Sequence, residues 1–352
     1  HLVKHAVLLS MGFAIMFAIQ KVPYRYFSGG SVLLFPLVIA LLLYTLLQGV
    51  TIGGANASRW IQVPFVGVGF QTSTLASLVL MVYVARYLAR NKDVEIQFKE
   101  SFLQLWIPVG MTLVLILPAN FSTTAILFCM VLVLVYLGGY PIKYLLYIVG
   151  VAVASLAFFV LVVKAFPDAM PNRVNTWQHR IENFSNSDAA EGYQVEKAKI
   201  AIATGGLTGR GPGKSIQKNF LPQSTSDFIF AIIVEEYGLV GSFLVLFFYF
   251  LLLFRIFIAA KKAGTVFGTL LVIAVGIPIV FQAMINMAVA TNLLPVTGQT
   301  LPLISSGGTS IWMTCLALGI VLSVSAAQDV TETQLEEESE DPLSVLQQTR
   351  DR

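Results

Sequence analysis

The sequence predicts an all-α polytopic membrane protein, and three observations carry that fold class. Only 12% of the residues are charged while 56% are hydrophobic; a soluble domain covers its surface with about 25% charged residues. Apolar stretches close to the ~20 residues needed to cross a bilayer recur along the whole chain. Runs such as LVLFFYFLLLF at 244–254 do not alternate apolar with polar residues, which argues against the strands of a membrane barrel.

Nine such stretches stand at 5–20, 30–50, 65–89, 103–119, 121–138, 143–166, 226–255, 263–290 and 308–326. Backbone polar groups in lipid must be satisfied within their own segment, so each is expected to be a helix. Orientation follows from the cations of the short loops. Lys21 and Arg25, then Arg90, Lys92 and Lys99, then Lys143, then Arg255, Lys261 and Lys262 mark alternate loops. The intervening loops hold Arg59 alone or no cation. The basic set is cytoplasmic, which places the start of the chain outside and its C-terminus inside. One long extracytoplasmic loop covers 167–225, and long loops cross whatever their charge. Residues 1–328 thus read as one transmembrane domain. The tail 329–352 is acidic and reads as a disordered cytoplasmic segment.

The same composition excludes several classes of function. A net charge of +3 is too small for a nucleic-acid-binding face. Cys129 and Cys315 lie inside apolar stretches and read as buried small hydrophobes. His1, His5 and His179 are scattered, so no metal cluster is expected.

The chemistry gathers outside the membrane. Lys197, Lys199, Arg210, Lys214 and Lys218 occur without an intervening acid around the glycine-rich run GGLTGRGPGKS at 205–215. Flexible backbone and fixed cations suit a phosphate, and a lipid diphosphate is the natural anion at this depth. The alternative is a basic loop resting on anionic headgroups. The run is no P-loop, because Thr208 stands where the first glycine belongs. Asp227 opens the seventh span beside this loop. It suits a general base, although a helix cap would also account for it. Glu235 and Glu236 lie two turns deeper, where carboxylates are costly and are functional candidates. Arg59, in ANASRW, is either an interfacial anchor or a diphosphate contact. The uncharged segment 292–310 reads as re-entrant backbone lining a cavity.

In order, ASRW (57–60), HRIENF (179–184), GYQ (192–194), GRGPGKSIQK (209–218), FLPQSTSDFIFA (220–231), EEYG (235–238) and PVTGQTLPLISSGGTS (295–310) resemble the SEDS (FtsW/RodA/SpoVE) family of cell-wall polymerases. The serine and lysine of Ser215-Ile216-Gln217-Lys218 look more like the division member FtsW. The resemblance implies a ten-helix fold, of which this chain would lack the first helix. It implies a peptidoglycan glycosyltransferase that polymerises lipid II at the inner membrane of the division septum, with Asp227 as the catalytic aspartate. Arg59, Arg180, Gln194, Arg210, Lys214, Ser215, Gln217, Lys218, Glu235, Ser305 and Ser306 are the candidate substrate-binding residues on these motifs. The sequence requires no cofactor, although a divalent cation, Mg or Mn, could share the diphosphate charge. The implied partners are a class B penicillin-binding protein and other division proteins. A lipid II flippase is the alternative, since intramembrane carboxylates and a proline-broken segment also suit a carrier.

Three departures from the family pattern stand out. Q-P-S-E-x-x-K appears as Gln71 to Ser77, with Thr74 and Ser77 replacing acid and base. P-D-L-G-T is reduced to LPANFSTT at 117–124, and the Glu of L-P-E is Gln223. Loss of both partners of an ion pair can be nearly neutral, whereas loss of one is not.

Overall fold

The computed structural model describes residues 2–48, 60–62, 69–94, 96–165, 192–222 and 224–340. Its helices are α1 (Leu2–Gln20), α2 (Arg25–Gln48), α3 (Thr72–Arg90), α4 (Phe98–Ile116), α5 (Phe121–Leu137), α6 (Ile142–Ala165), α7 (Tyr193–Gly205), α8 (Ile229–Lys262), α9 (Val266–Ala290) and α10 (Gly308–Glu340). Six are long and apolar enough to cross a membrane: α2, α3, α4, α8, α9 and the Gly308–Ala327 part of α10. Shorter apolar helices at His5–Gln20, Phe121–Leu137 and Ile142–Phe158 fill the other predicted positions.

The differences from the predicted boundaries have local causes. The third helix starts at Thr72, not at 65, because Gly69–Gln71 pairs antiparallel with Trp60–Gln62 as strands β2 and β1. Gln71 is still extended, with φ −90° and ψ 106°. The loop 167–225 is not all loop, since it carries α7. Past Ala327, the helical backbone of α10 continues to Glu340. Its Glu, Gln and Leu residues are good helix formers. Cys315 is buried but Cys129 is exposed, since α5 turns that side chain outward.

Helix α9 is the spine of the bundle. Its Leu271, Val275, Ile279 and Met287 join α8 and α10 in one core, and its Leu270 and Ala274 join α2, α3, α4 and α5 in a second. Most of α6 is exposed along its apolar length, which suits a lipid-facing helix.

Helix α8 is two helices meeting at Gly238, whose φ of 64° and ψ of −160° are not helical. A break at this depth removes two helical hydrogen bonds, those from the amides of Leu239 and Val240 to the carbonyls of Glu235 and Glu236. The glycine-rich loop replaces both halves of each. Leu239 N donates to Gly206 O at 3.0 Å and Val240 N to Leu207 O at 3.2 Å. Arg210 N donates to Glu235 O and Gly211 N to Glu236 O, each at 2.9 Å. Glycine is required on both sides of this splice. A Cβ on Gly238 would lie 2.4 Å from the Leu207 carbonyl, and one on Gly209 2.2 Å from the Glu236 oxygen.

Candidate active site

Asp227 ends the turn that leads into α8, and it is half-buried. Phe228, not Asp227, occupies the N-cap position of that helix. Three consecutive carbonyls of the turn are held by the segment before α10 and by α9. Ser306 gives its backbone amide (2.9 Å) and hydroxyl (3.1 Å) to Thr225 O. Ser305 Oγ donates to Ser226 O at 2.6 Å. Asn286 Nδ2 donates to Asp227 O at 2.7 Å and also to Gln299 O at 2.7 Å. The Asp227 carboxylate faces Gly298, where an added Cβ would lie 3.6 Å from Oδ2.

Gly298 is also a wall of a cavity of about 150 Å³ between α3, α5, α9 and α10. Its polar lining includes Thr74, Ser77, Thr123, Gln282, Gln299 and Thr300, and among the described residues no charged side chain lines it. Thr74 donates to Gln71 O at 2.7 Å and Ser77 to Ser73 O at 2.8 Å, so both hydroxyls are satisfied within or beside their own helix. Gln299 donates to Thr123 at 2.9 Å, and Gln282 to Thr300 O at 2.9 Å. The irregular segment 291–307 is thereby fixed against α5 and α9, which meets the need of non-helical backbone at membrane depth.

The basic loop is anchored from beneath. Glu235 is fully buried. Its carboxylate accepts from Ser215 Oγ, from Ile216 N at 3.1 Å and from Gln217 N at 3.2 Å, with Arg210 Nε at 3.9 Å. Lys214 and Lys218 stay exposed on either side of that turn. Lys197 is taken up locally by Glu196 at 3.2 Å and by the Tyr193 ring.

The structure therefore sorts the predicted residues into groups. Asp227, Ser305 and Ser306 meet at one turn. Arg210, Lys214, Ser215, Gln217, Lys218 and Glu235 meet at the loop. Gln194 lies half-buried on α7, in neither group. Of the candidate substrate-binding residues, Ser215, Ser305 and Glu235 are buried and bonded to protein. Arg59, Arg180 and Gln223 lie outside the described residues. Asn286 is the addition: its own polarity inside the apolar run 266–290 is the signal that marks it. Among the described residues no three His, Cys, Asp or Glu side chains converge.

Fold and site define a multi-pass membrane protein whose polar groups converge where α8 and α10 begin. A model of the FtsW/RodA/SpoVE family, described as "Cell cycle protein", matches residues 1–330, and the chain belongs to that family. It is 32% identical over 326 residues to the probable peptidoglycan glycosyltransferase FtsW of Thioalkalivibrio sulfidiphilus, covering 91% of this chain and 79% of that one. It is 34% identical over 286 residues to that of Enterococcus hirae, covering 79% and 70%. Rod shape determining protein RodA of Thermus thermophilus superposes with a TM-score of 0.65 at 26% identity, over 93% of this chain and 88% of that one. A chain from a structure on coordinated polymerization and crosslinking by a peptidoglycan synthase complex gives a TM-score of 0.72 at 26% identity, over 93% and 90%.

Proposed function

We propose that the chain is a peptidoglycan glycosyltransferase that polymerises lipid II into β-1,4-linked glycan for septal wall synthesis. The observation that carries this reading is Asp227, held by its backbone at the edge of an uncharged cavity, with exposed cations on a loop anchored to the same helix. As general base, Asp227 takes the proton from the 4-hydroxyl of the acceptor sugar. That oxygen bonds to the anomeric carbon of the donor, and the bond from this carbon to the lipid diphosphate breaks. A positioned base of this kind contributes roughly 10²–10⁴-fold. Arg210, Lys214 and Lys218 stabilise the charge that grows on the leaving diphosphate, an effect realised mainly in the transition state. Arg59 and Arg180 are the further cations proposed for this task.

The multi-pass fold places the enzyme in a membrane, and the reading puts it in the bacterial inner membrane at the septum. The structural likeness to a complex that couples polymerization to crosslinking supports a crosslinking partner. The class B penicillin-binding protein is that partner in this reading.

The test is polymerisation of labelled lipid II by the purified protein, with and without that partner, beside Asp227→Asn. Long glycan from wild type and none from the folded mutant is the expected result. Glycan from both removes Asp227 from the mechanism. No glycan from either, with lipid II crossing the bilayer of proteoliposomes, makes the protein a transporter.

A further inference from the structure

The glycine-rich sequence suggests a cradle for an external phosphate, but the structure fills that cradle from within. A hydroxyl and two successive backbone amides, from Ser215, Ile216 and Gln217, converge as they would on an anion. The anion is the carboxylate of Glu235, which is fully buried. The diphosphate cannot use these donors, so the exposed side chains of Lys214 and Lys218 are what the turn offers it. Both lysines flank the filled turn. Ser215 Oγ also accepts from Lys218 N at 3.1 Å, and Lys218 O accepts from Ser224 Oγ at 3.1 Å. Ser224 is three residues from Asp227. A continuous path of bonds therefore runs from Glu235 through Ser215 and Lys218 to the turn that carries Asp227. The first half of α8 closes the circuit, its rise from Ile229 to Glu235 being about 9 Å.

We infer that Glu235 is a positioning residue, one that fills the loop's anion nest and so fixes Lys214 and Lys218 relative to Asp227. It touches no substrate. It acts through the lysines, and the loss on removing it falls on the transition state, where the leaving diphosphate needs them most. The inference rests on the reading of the chain as a lipid II polymerase.

The experiment is steady-state polymerisation of lipid II by the full chain with its partner. It compares Glu235→Gln, Ser215→Ala, the pair Lys214→Ala with Lys218→Ala, and each combined with that pair. Glu235→Gln is expected to lower kcat about tenfold or more with KM changed less than about threefold. In the double-alanine background the same change is expected to cost several-fold less than in wild type, because the route through the lysines is gone and Arg210, 3.9 Å from the carboxylate, is what remains. Ser215→Ala removes one nest donor without touching the membrane helix, and it carries the same cycle if Glu235→Gln does not fold. Full kcat in both single variants, or losses that multiply equally in both backgrounds, overturns the inference and leaves Glu235 and Ser215 as structural residues. Those results require glycan from wild type. Its absence overturns the polymerase reading and this inference with it.

Discussion

Asn286 Nδ2 holds the backbone carbonyl of Asp227 at 2.7 Å from within α9. The same nitrogen holds Gln299 O, so one amide ties the Asp227 turn to the segment that lines the cavity. The residue is 1% exposed, and water cannot replace it. Asn286→Ala removes both bonds, at about 1–3 kcal/mol each. Asn286→Asp is expected to be worse at neutral pH, since an ionised carboxylate would face two carbonyl oxygens. Polymerisation rate and thermal midpoint in detergent should fall together, in the order wild type, Ala, Asp. An active Asp variant would refute the clamp.

The two serines next to each other on this segment should behave differently. Ser305 Oγ accepts from Leu301 N at 2.7 Å while donating to Ser226 O. Ser305→Ala removes both bonds and should cost about 2 kcal/mol or more, with a matching loss of activity. Ser306 is exposed, and its backbone amide, at 2.9 Å, still holds Thr225 O when the 3.1 Å bond of the hydroxyl is lost. Ser306→Ala should therefore be nearly silent. A rise in KM for Ser306→Ala alone would return that residue to the substrate-binding set.

Gly238 and Gly209 predict a steric result. Alanine at Gly238 must adopt a left-handed φ and meet the Leu207 carbonyl, and alanine at Gly209 meets Glu236 O. Left-handed backbone alone costs roughly 1–2 kcal/mol. Either substitution should displace the loop, lower the thermal midpoint by several degrees and abolish polymerisation. By contrast, Gly213 has a positive φ but open space around its Cβ position, so Gly213→Ala should cost only the backbone term. Equal effects at all three positions would mean that the splice is not what fixes the loop.

What could be read from the sequence follows from how far each signal reaches. The helices were legible because apolar length is a local property. The start of α3 was not, because Gln71 is extended by pairing with Trp60, across residues that carry no strand pattern. Asp227 was legible from its place at the head of an apolar run and from the motif around it. Asn286 carried a signal, an amide within an apolar run, but shared it with Gln282, and only their contacts tell the two apart. The loop 205–215 was legible as an anion nest, but its occupant is Glu235, twenty residues downstream of Ser215. The bonds of Ser305 to Leu301 N and Ser226 O were not legible, because a hydroxyl in a sequence does not reveal which groups it faces.

The neutral pair Thr74 and Ser77 yields the last prediction. Both line the cavity walled by Gly298, the residue that faces the Asp227 carboxylate, and they lie three residues apart on one face of α3. Each hydroxyl is satisfied by nearby backbone, so the pair asks nothing of a partner. Thr74→Glu alone places a carboxylate among uncharged groups, and an unpaired charge there costs up to about 3–5 kcal/mol. Ser77→Lys alone does the same with the opposite sign. Together they can pair across one helical turn, restoring the family's acid and base. Each single variant should accumulate poorly in the membrane and make little glycan, while the double variant should regain both. The measurement is a double-mutant cycle on thermal midpoint and polymerisation rate, and a favourable coupling well above the ~0.5 kcal/mol of an exposed helix pair is expected. Additive losses would mean that the cavity is too wet or too wide for the two charges to feel each other.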